Sequence, residues 1–294
     1  MDGFAIGPTV NPCTKGLWIW SAPIEYKEMD IIILDTEGLN SVYRDSSTDC
    51  KILAIALLVS SILVYNSMGT IDEQALFNLG LVINLVKYVK IDKNSGSKDL
   101  ARYFPYFLWT LRDFGLNLGD ITADQYLEQS LGANKNGTQA SNEIRSTISQ
   151  LFRERSCETF VRPVFDEGKL ARIEDQKYED LRPEFRETTQ NFTEKIFKNL
   201  RPKIMNGKGL TGNMLLEFTE MIIESFNNND VPYVSSSLER VLDKQANDLS
   251  MMLETKYVAV FQKKIEELNI NNIESLMHLF LAIKGELGNP FSQY

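Results

Sequence analysis

The sequence predicts an α/β fold, in which a mostly parallel sheet carries helices on both faces and is followed by the start of an all-helical domain. The first observation is that short apolar runs alternate with segments of helical spacing through the first part of the chain. The second is that acidic residues follow two of these runs, at Asp35 and Asp113. The third is that apolar residues beyond Pro232 keep helical spacing over about eight turns. We therefore predict a first domain over 1–232 and the beginning of a helical domain over 233–294.

The predicted elements follow from apolar periodicity and from residues that start or stop secondary structure. The predicted strands are Leu17–Trp20, Ile31–Leu34, Ile62–Tyr65, Tyr106–Leu111 and Thr159–Val161. The predicted helices are Ile52–Leu58, an amphipathic segment from Ile71 to Val86, Ala123–Leu131 after the N-cap Thr122, one opening at Pro183, one capped by Thr211, a long helix from Leu238 to Leu268, and its partner Ile273–Ile283.

Composition and charge exclude several classes of protein. The net charge of −9 and the lack of a long basic cluster argue against a nucleic-acid partner. The single histidine, His278, rules out a His-based zinc site or a Ser-His-Asp triad elsewhere. Three widely spaced cysteines are typical of free thiols in a reducing compartment, which predicts a cytoplasmic protein. The longest apolar run, from Ile52 to Tyr65, is too short to span a membrane.

The stretch Asp35-Thr36-Glu37-Gly38 follows the run Ile31–Leu34, which we interpret as a parallel strand buried on both faces. In open α/β sheets, ligands bind outside the carboxyl ends of strands, where these two carboxylates would lie. An acid at this position holds magnesium in phosphoryl-transfer enzymes, and a glycine lets backbone N–H groups approach a phosphate. Taken alone, the pattern is more typical of a strand that ends in a turn, so the other motifs must decide.

Arg112-Asp113 follows the apolar run Tyr106–Leu111 in the same way. Guanine presents two adjacent donors, N1–H and the 2-amino group, and one ionised carboxylate can accept from both. Adenine presents no such pair. Asp113 is therefore the residue that we expect to choose the base, and Arg112 is placed either to stack on the base or to pair with a neighbour.

Four stretches at successive strand ends or loops carry a wider pattern: Thr14-Lys15-Gly16, Leu34–Leu39, Val64–Ile71 and Trp109–Phe114. In content and order they resemble the signatures of the guanylate-binding protein family, large GTPases of the dynamin superfamily related to the atlastins. The similarity continues through 162–164, 181–185, 209–212 and 231–232, and so covers nearly the whole chain. The Thr-Leu-Arg-Asp segment at 110–113 is distinctive of this family.

The resemblance implies a GTPase that converts GTP to GDP and phosphate with Mg²⁺. It implies that Thr14 belongs to switch I, ligates magnesium and takes part in catalysis. Asp35 is implied to bind the metal, and Glu37 and Gly38 to act in catalysis, with Glu37 helping to order the attacking water.

The resemblance also implies how the base and the partners are recognised. Thr110, Arg112 and Asp113 would bind the guanine, and Arg162 would open the segment that covers the base. Family members form homodimers through their GTPase domains across the nucleotide, and peripheral membrane association belongs to the full-length proteins.

Two departures from the family pattern leave an alternative open. Pro12 stands where family members often carry a serine, which removes one polar contact near the attacking water. No G-x-x-x-x-G-K-[ST] motif, the P-loop, occurs in the sequence; in the family it precedes switch I, which would place it before Met1. The alternative function is therefore a nucleotide-incompetent interaction or dimerisation module. An ATPase is disfavoured by Asp113.

Overall fold

A computed structural model describes residues 14, 16–38, 46–80, 89–91, 101–268 and 272–286. The strands in these residues are β1 (Leu17–Ile19), β2 (Ile24–Tyr26), β3 (Met29–Ile31), β4 (Leu34–Thr36), β5 (Ile62–Met68), β6 (Tyr106–Arg112), β7 (Arg155–Thr159), β8 (Ile204–Met205) and β9 (Lys208–Gly209). The α-helices are α1 (Ser46–Val59), α2 (Glu73–Leu79), α3 (Ala123–Leu131), α4 (Gln139–Leu151), α5 (Glu167–Leu170), α6 (Pro183–Asn199), α7 (Gly212–Asn227), α8 (Val234–Leu268) and α9 (Ile273–Glu286).

A three-stranded parallel sheet of order β5-β6-β7 lies at the centre of the first part of the chain. Every side chain from Tyr106 to Leu111 is buried, and Phe107, Leu108 and Trp109 are completely inaccessible to solvent. Apolar residues of both faces are buried in this way when a parallel strand is covered on both sides. The predicted α/β class, followed by long C-terminal helices, is confirmed, and so is the predicted strand Tyr106–Leu111.

The prediction of a buried parallel strand over Ile31–Leu34 was wrong. β4 begins at Leu34 and pairs with β1 in antiparallel register, while β3 forms a separate hairpin with β2. Ile32 and Ile33, between β3 and β4, are each 41% exposed. The segment between β1 and β4 is used by the β2–β3 hairpin instead of a crossover helix, and a chain that returns directly pairs antiparallel.

Two other strands differ from their predicted bounds. β5 continues past the predicted end at Tyr65 to Met68, in register with β6 along its whole length. The predicted strand Thr159–Val161 is found earlier, as Arg155–Thr159. Its polar sequence concealed it, because partners inside the fold satisfy its side chains; for example, Tyr106 Oη donates to Ser156 Oγ at 2.7 Å.

The helix starts agree well with the residues that cap them. Thr122 accepts from the backbone N–H of Gln125 in a capping box at the start of α3, and Thr211 caps α7. Pro183 occupies the first turn of α6, as predicted. The predicted helix from Ile71 to Val86 appears as α2 over its first part, and residues 81–88 lie outside the described residues.

The chain divides into two compact units, residues 1–237 and 238–294, and α8 begins in the first unit and continues into the second. Within the second unit, the ring of Tyr257 on α8 meets that of Phe280 on α9 edge-on, with centroids 5.7 Å apart. The assignment of 1–232 and 233–294 to different functional domains stays a prediction. Among the described residues, no helix combines the length and apolarity that a membrane crossing requires.

Lys203, just before β8, is a buried lysine whose side chain is bound by backbone carbonyls. Its Nζ donates to the carbonyl oxygens of Tyr103 at 2.7 Å, Ser60 at 2.9 Å and Leu57 at 3.4 Å. Two of these carbonyls lie at the C-terminal end of α1, where a cation also complements the helix dipole. Burial, and then the positive charge of Arg201, lower the pKa of Lys203 to about 7.

We expect Lys203→Met to lower the free energy of unfolding by about 2–4 kcal/mol at pH 8, because each buried carbonyl left without its donor costs about 1–3 kcal/mol. The loss should grow with pH. The unfolded chain keeps the lysine proton up to about pH 10.5 and the folded chain releases it near pH 7, so between these values the unfolded state binds more protons and wild-type stability rises. Denaturant unfolding of both proteins across this window measures the difference.

The matched control is Lys198→Met, since Lys198 is exposed on α6. It should change the unfolding free energy by less than about 0.5 kcal/mol. A Lys203→Met protein as stable as the control, or a stability difference that falls as the pH rises, would contradict this account.

Candidate functional site

The carboxyl end of β6 places Asp113 at the surface of the parallel sheet. Asp113 has a φ of +54°, in the left-handed region that few residues other than glycine adopt. Backbone bonds fix the turn on both sides: Gly69 N–H donates to the carbonyl of Arg112 at 2.7 Å, and Phe114 N–H donates to that of Phe160 at 2.9 Å. Gly69 itself has a φ of +78°. The conformation of Asp113 is thus determined by its neighbours, as is common for strained residues at functional sites.

Arg162 and Asp113 come together at this end of the sheet. Arg162 Nε donates to Asp113 Oδ2 at 3.2 Å, and Arg162 Nη1 donates to Glu167 Oε1 at 2.5 Å. Glu167 and then Asp113 raise the pKa of Arg162, so the guanidinium stays charged. Two of the four residues that the resemblance assigns to the base and its cover, Asp113 and Arg162, are therefore in direct contact, although they are far apart in the sequence.

The other two residues predicted to bind the base are placed differently from one another. Arg112 is exposed at the end of β6, and its side chain forms no hydrogen bond or ion pair with a described residue. Thr110 is only 5% exposed, and its hydroxyl donates to the carbonyl of Tyr65 at 3.3 Å. This geometry favours a role for the Thr110 side chain in joining β6 to β5. Its contact with a nucleotide stays a prediction.

A second cluster lies on the antiparallel β1–β4 pair. Thr14 Oγ1 donates to Asp35 Oδ2 at 2.8 Å. The backbone N–H of Gly16 donates to Glu37 Oε2 at 2.9 Å, and Glu37 N–H donates to the Gly16 carbonyl at 2.8 Å. Glu37 is 5% exposed. Asp35 and Glu37 are therefore each hydrogen-bonded to a residue that precedes β1, as expected if these two stretches form one site.

The oxygen atoms of Thr14 and Asp35 fit a magnesium ion better than a transition metal. The described residues contain no group of three or more His, Cys, Asp or Glu side chains that could hold a metal by themselves. Magnesium needs no such group, because it is usually bound by one or two protein oxygens together with water and substrate phosphates. A hydroxyl and a carboxylate oxygen in mutual contact are donors of this kind.

Gly38 is exposed, and a Cβ placed on it would meet no atom of the described residues within 4 Å. Internal packing therefore does not require glycine here. The open space is consistent with the close approach of a ligand to the backbone, which a side chain would obstruct.

Sequence reasoning missed two contributors to the site. Glu167 holds Arg162 from the first turn of α5, and no motif in the sequence marks it. Ser67 Oγ accepts a hydrogen bond from Trp109 Nε1 at 2.8 Å. This bond joins β5 to β6 shortly before the carboxyl ends of the two strands. Ser67 lies in the stretch Val64–Ile71, which the resemblance had marked, so membership of that stretch was the available sequence signal for it.

Comparisons with known proteins identify the family of this chain. The family model described as "Guanylate-binding protein, N-terminal domain" matches residues 1–204. Guanylate-binding protein 6 of Homo sapiens is 34% identical over 300 residues, which are 97% of this chain and 47% of that protein. Guanylate-binding protein 2 of Mus musculus is 34% identical over 301 residues, 97% of this chain and 51% of that protein.

Guanylate-binding protein 2 of Homo sapiens is 36% identical over 253 residues, which cover 81% of this chain and 43% of that protein. The chain thus spans about half the length of the curated relatives that it matches. Because the family model covers well over half of the chain, the match does not depend on one short motif. The chain belongs to the guanylate-binding protein family.

Proposed function

We propose that this chain binds GTP and, with Mg²⁺, hydrolyses it to GDP and phosphate. The observation that carries the proposal is the Asp113 carboxylate, set at the carboxyl end of the central strand and paired with Arg162. Ligands of parallel α/β sheets bind at this edge, and a carboxylate here has the chemistry to select guanine. The membership of the family supports the same conclusion.

Base selection in this proposal depends on charge and geometry together. The two oxygens of Asp113 accept from N1–H and the 2-amino group of guanine, and Arg162 remains beside them as a counter-charge. Arg112 is exposed and has no described partner, so it is available to stack on the base. The Thr110 side chain joins β6 to β5 through its bond to the carbonyl of Tyr65.

Phosphate chemistry in this proposal belongs to the β1–β4 cluster. Thr14 and Asp35 would hold the magnesium ion, which neutralises charge on the phosphate oxygens when it is bound. Glu37 is positioned by the Gly16 N–H and orders the attacking water through its carboxylate. Gly38 gives the terminal phosphate access to backbone N–H groups.

The proposal also includes the partners of the site. We infer a homodimer formed through the GTPase domain when nucleotide is bound, in a cytoplasmic protein. Peripheral association with membranes would be a property of the full-length family.

A second candidate, which concerns the 294 residues by themselves, is a nucleotide-incompetent dimerisation module. The observation in its favour is that the 294-residue sequence contains no G-x-x-x-x-G-K-[ST] motif, whose backbone N–H groups and lysine hold the phosphates in P-loop enzymes. The base-reading geometry at Asp113 would then be retained without turnover.

Asp113→Asn should reverse the preference between GTP and xanthosine triphosphate. The variant loses charge assistance in its contact with guanine; the loss of one such hydrogen bond, which contributes about 1.5–3 kcal/mol, corresponds to about a 10- to 150-fold loss of GTP affinity. Its amide can donate where xanthine accepts. Isothermal titration of the 294-residue chain with each nucleotide, up to millimolar concentration, gives the two affinities.

Asp120→Asn is the control, because Asp120 is an exposed acid in the loop after β6 and its substitution removes the same charge. It should leave the ratio of the two affinities unchanged. If Asp113→Asn behaves like Asp120→Asn, Asp113 does not read the base.

Thr14→Ala and Asp35→Ala should each abolish the effect of Mg²⁺ on nucleotide binding and hydrolysis while the chain stays folded. Both side chains are partly exposed oxygen donors, so their loss removes ligands and creates no large cavity. Binding of GTP with and without Mg²⁺, together with circular dichroism, separates the two effects. Thr36→Ala, on the exposed side of β4, is the matched control and should respond to Mg²⁺ as the wild type does.

The 294-residue chain should bind GTP about 150-fold to 25,000-fold more weakly than a relative with a P-loop. The estimate assumes the loss of two charge-assisted contacts to phosphate at about 1.5–3 kcal/mol each. Fluorescent-GTP titration of the chain beside such a relative measures the ratio, and sedimentation with and without GTP reports dimerisation. Micromolar affinity with brisk phosphate release would refute this prediction, and dimerisation that ignores GTP would favour the second candidate.

A further inference from the structure

Arg182, the residue directly before α6, contacts the segment 162–165 at three points. Its backbone N–H donates to the carbonyl of Pro163 at 2.8 Å. Its Nη1 donates to the carbonyl of Arg162 at 3.4 Å, across 20 residues of sequence. Its guanidinium carbon lies over the ring of Phe165, 4.1 Å from the centre of the ring. One residue from outside the segment therefore holds both of its ends.

The Arg182 side chain is less exposed than the ring that it covers. It is 19% exposed, whereas Phe165 is 80% exposed. A cation is attracted to the face of an aromatic ring, and the attraction is stronger where the cation is partly removed from water. Val164, which precedes Phe165, is only 6% exposed and anchors the middle of the segment in the core. The buried Val164 and the Arg182 contacts on either side of it together determine where the segment lies.

The segment matters for the proposed base site because it carries Arg162, whose Nε donates to Asp113 Oδ2 at 3.2 Å. A carboxylate accepts two parallel hydrogen bonds only when its plane matches the two donors, so a bond to Oδ2 helps to fix that plane. The Arg162–Asp113 pair is partly exposed, and such pairs contribute little by themselves. The orientation of the carboxylate therefore depends on how firmly the backbone of Arg162 is held.

We propose that Arg182 is a positioning residue for guanine recognition. Through the segment 162–165 it holds Arg162 beside Asp113, and so it keeps the Asp113 carboxylate in the orientation that accepts from both N1–H and the 2-amino group. Arg182 acts through these residues and has no direct contact with the base in this proposal. The inference rests on the proposed function, because it assumes that Asp113 reads guanine.

Inosine triphosphate is the probe, because its base lacks the 2-amino group of guanine. The ratio of GTP affinity to inosine triphosphate affinity therefore reports the second hydrogen bond to Asp113. Displacement of fluorescent GTP from the 294-residue chain, with Mg²⁺ present, gives both affinities. The wild type should prefer GTP about ten-fold or more, the effect of one charge-assisted hydrogen bond. Arg182→Met should lower this ratio about two- to five-fold, the equivalent of a cation–π contact near the surface.

The ratio separates positioning from folding, because a loss of folded protein weakens both affinities equally. Phe165→Leu is the second variant; Phe165 is exposed, so its substitution creates no cavity, and the ratio should fall by a similar factor. Adding Arg182→Met to Phe165→Leu should lower the ratio by less than Arg182→Met does alone, because their contact is already lost. Arg172→Met is the control: it removes the same charge at an exposed position of the intervening chain and should leave the ratio unchanged.

The outcomes distinguish this inference from the proposed function. A wild-type chain that binds GTP no better than inosine triphosphate would overturn the proposed function and this inference together. A wild type that prefers GTP, with the same ratio in Arg182→Met and Phe165→Leu, would overturn the inference alone. Fully additive effects of the two substitutions would also overturn it, because Arg182 and Phe165 would then act separately.

Discussion

The burial of strand β6 is the constraint on which the rest of the structure depends. β6 hydrogen-bonds to β5 on one side and β7 on the other, and its side chains from Tyr106 to Leu111 are all buried. Shifting the strand by one residue would carry the charged Arg112 into the buried segment or move Leu111 toward solvent, so the register is strongly determined. The strand must therefore reach solvent at Arg112 and Asp113. Hydrophobic packing along β6 is what places the polar end at a defined point.

Electrostatics at this point permit exchange of partners. Arg162 and Asp113 have side chains that are 46% and 29% exposed, and an ion pair in such surroundings contributes about 0–1 kcal/mol. Two hydrogen bonds from guanine to the same carboxylate would contribute about 1.5–3 kcal/mol each. The hydrogen bonds from the base would thus be stronger than the bond from Arg162 to the same carboxylate. Arg162 could remain nearby, because Glu167 also holds it. A pre-formed carboxylate with a weak resident partner suits a site that must bind and release its ligand.

Sequence reasoning predicted the elements whose local signals agree with their environment. The apolar run 106–111, the capping threonines and Pro183 each had one dominant interpretation, and the structure confirms them. Ile31–Leu34 failed because an apolar run does not reveal which neighbour it pairs with, and a direct return made the pair antiparallel. β7 was predicted too far along the chain because its polar residues Ser156 and Glu158 do not look like strand residues, and their partners are far away in sequence. At the site, the resemblance suggested Asp113 and Arg162 separately, whereas their contact with each other and the role of Glu167 required coordinates.

The two clusters differ in how firmly the fold holds them, and this difference is suited to nucleotide chemistry. Asp113 ends a seven-residue strand that is paired on both sides, whereas Asp35 lies on a three-residue strand whose partner β1 exposes Trp18 by 57% and Ile19 by 60%. Local opening costs less free energy where few apolar contacts are buried. Asp113, which we propose reads the base, is therefore expected to stay fixed, while the segment with Thr14, Asp35 and Glu37 adjusts at low cost. A residue that senses metal and terminal phosphate must change its contacts between GTP and GDP, so the weaker part of the fold is the physically suitable place for it.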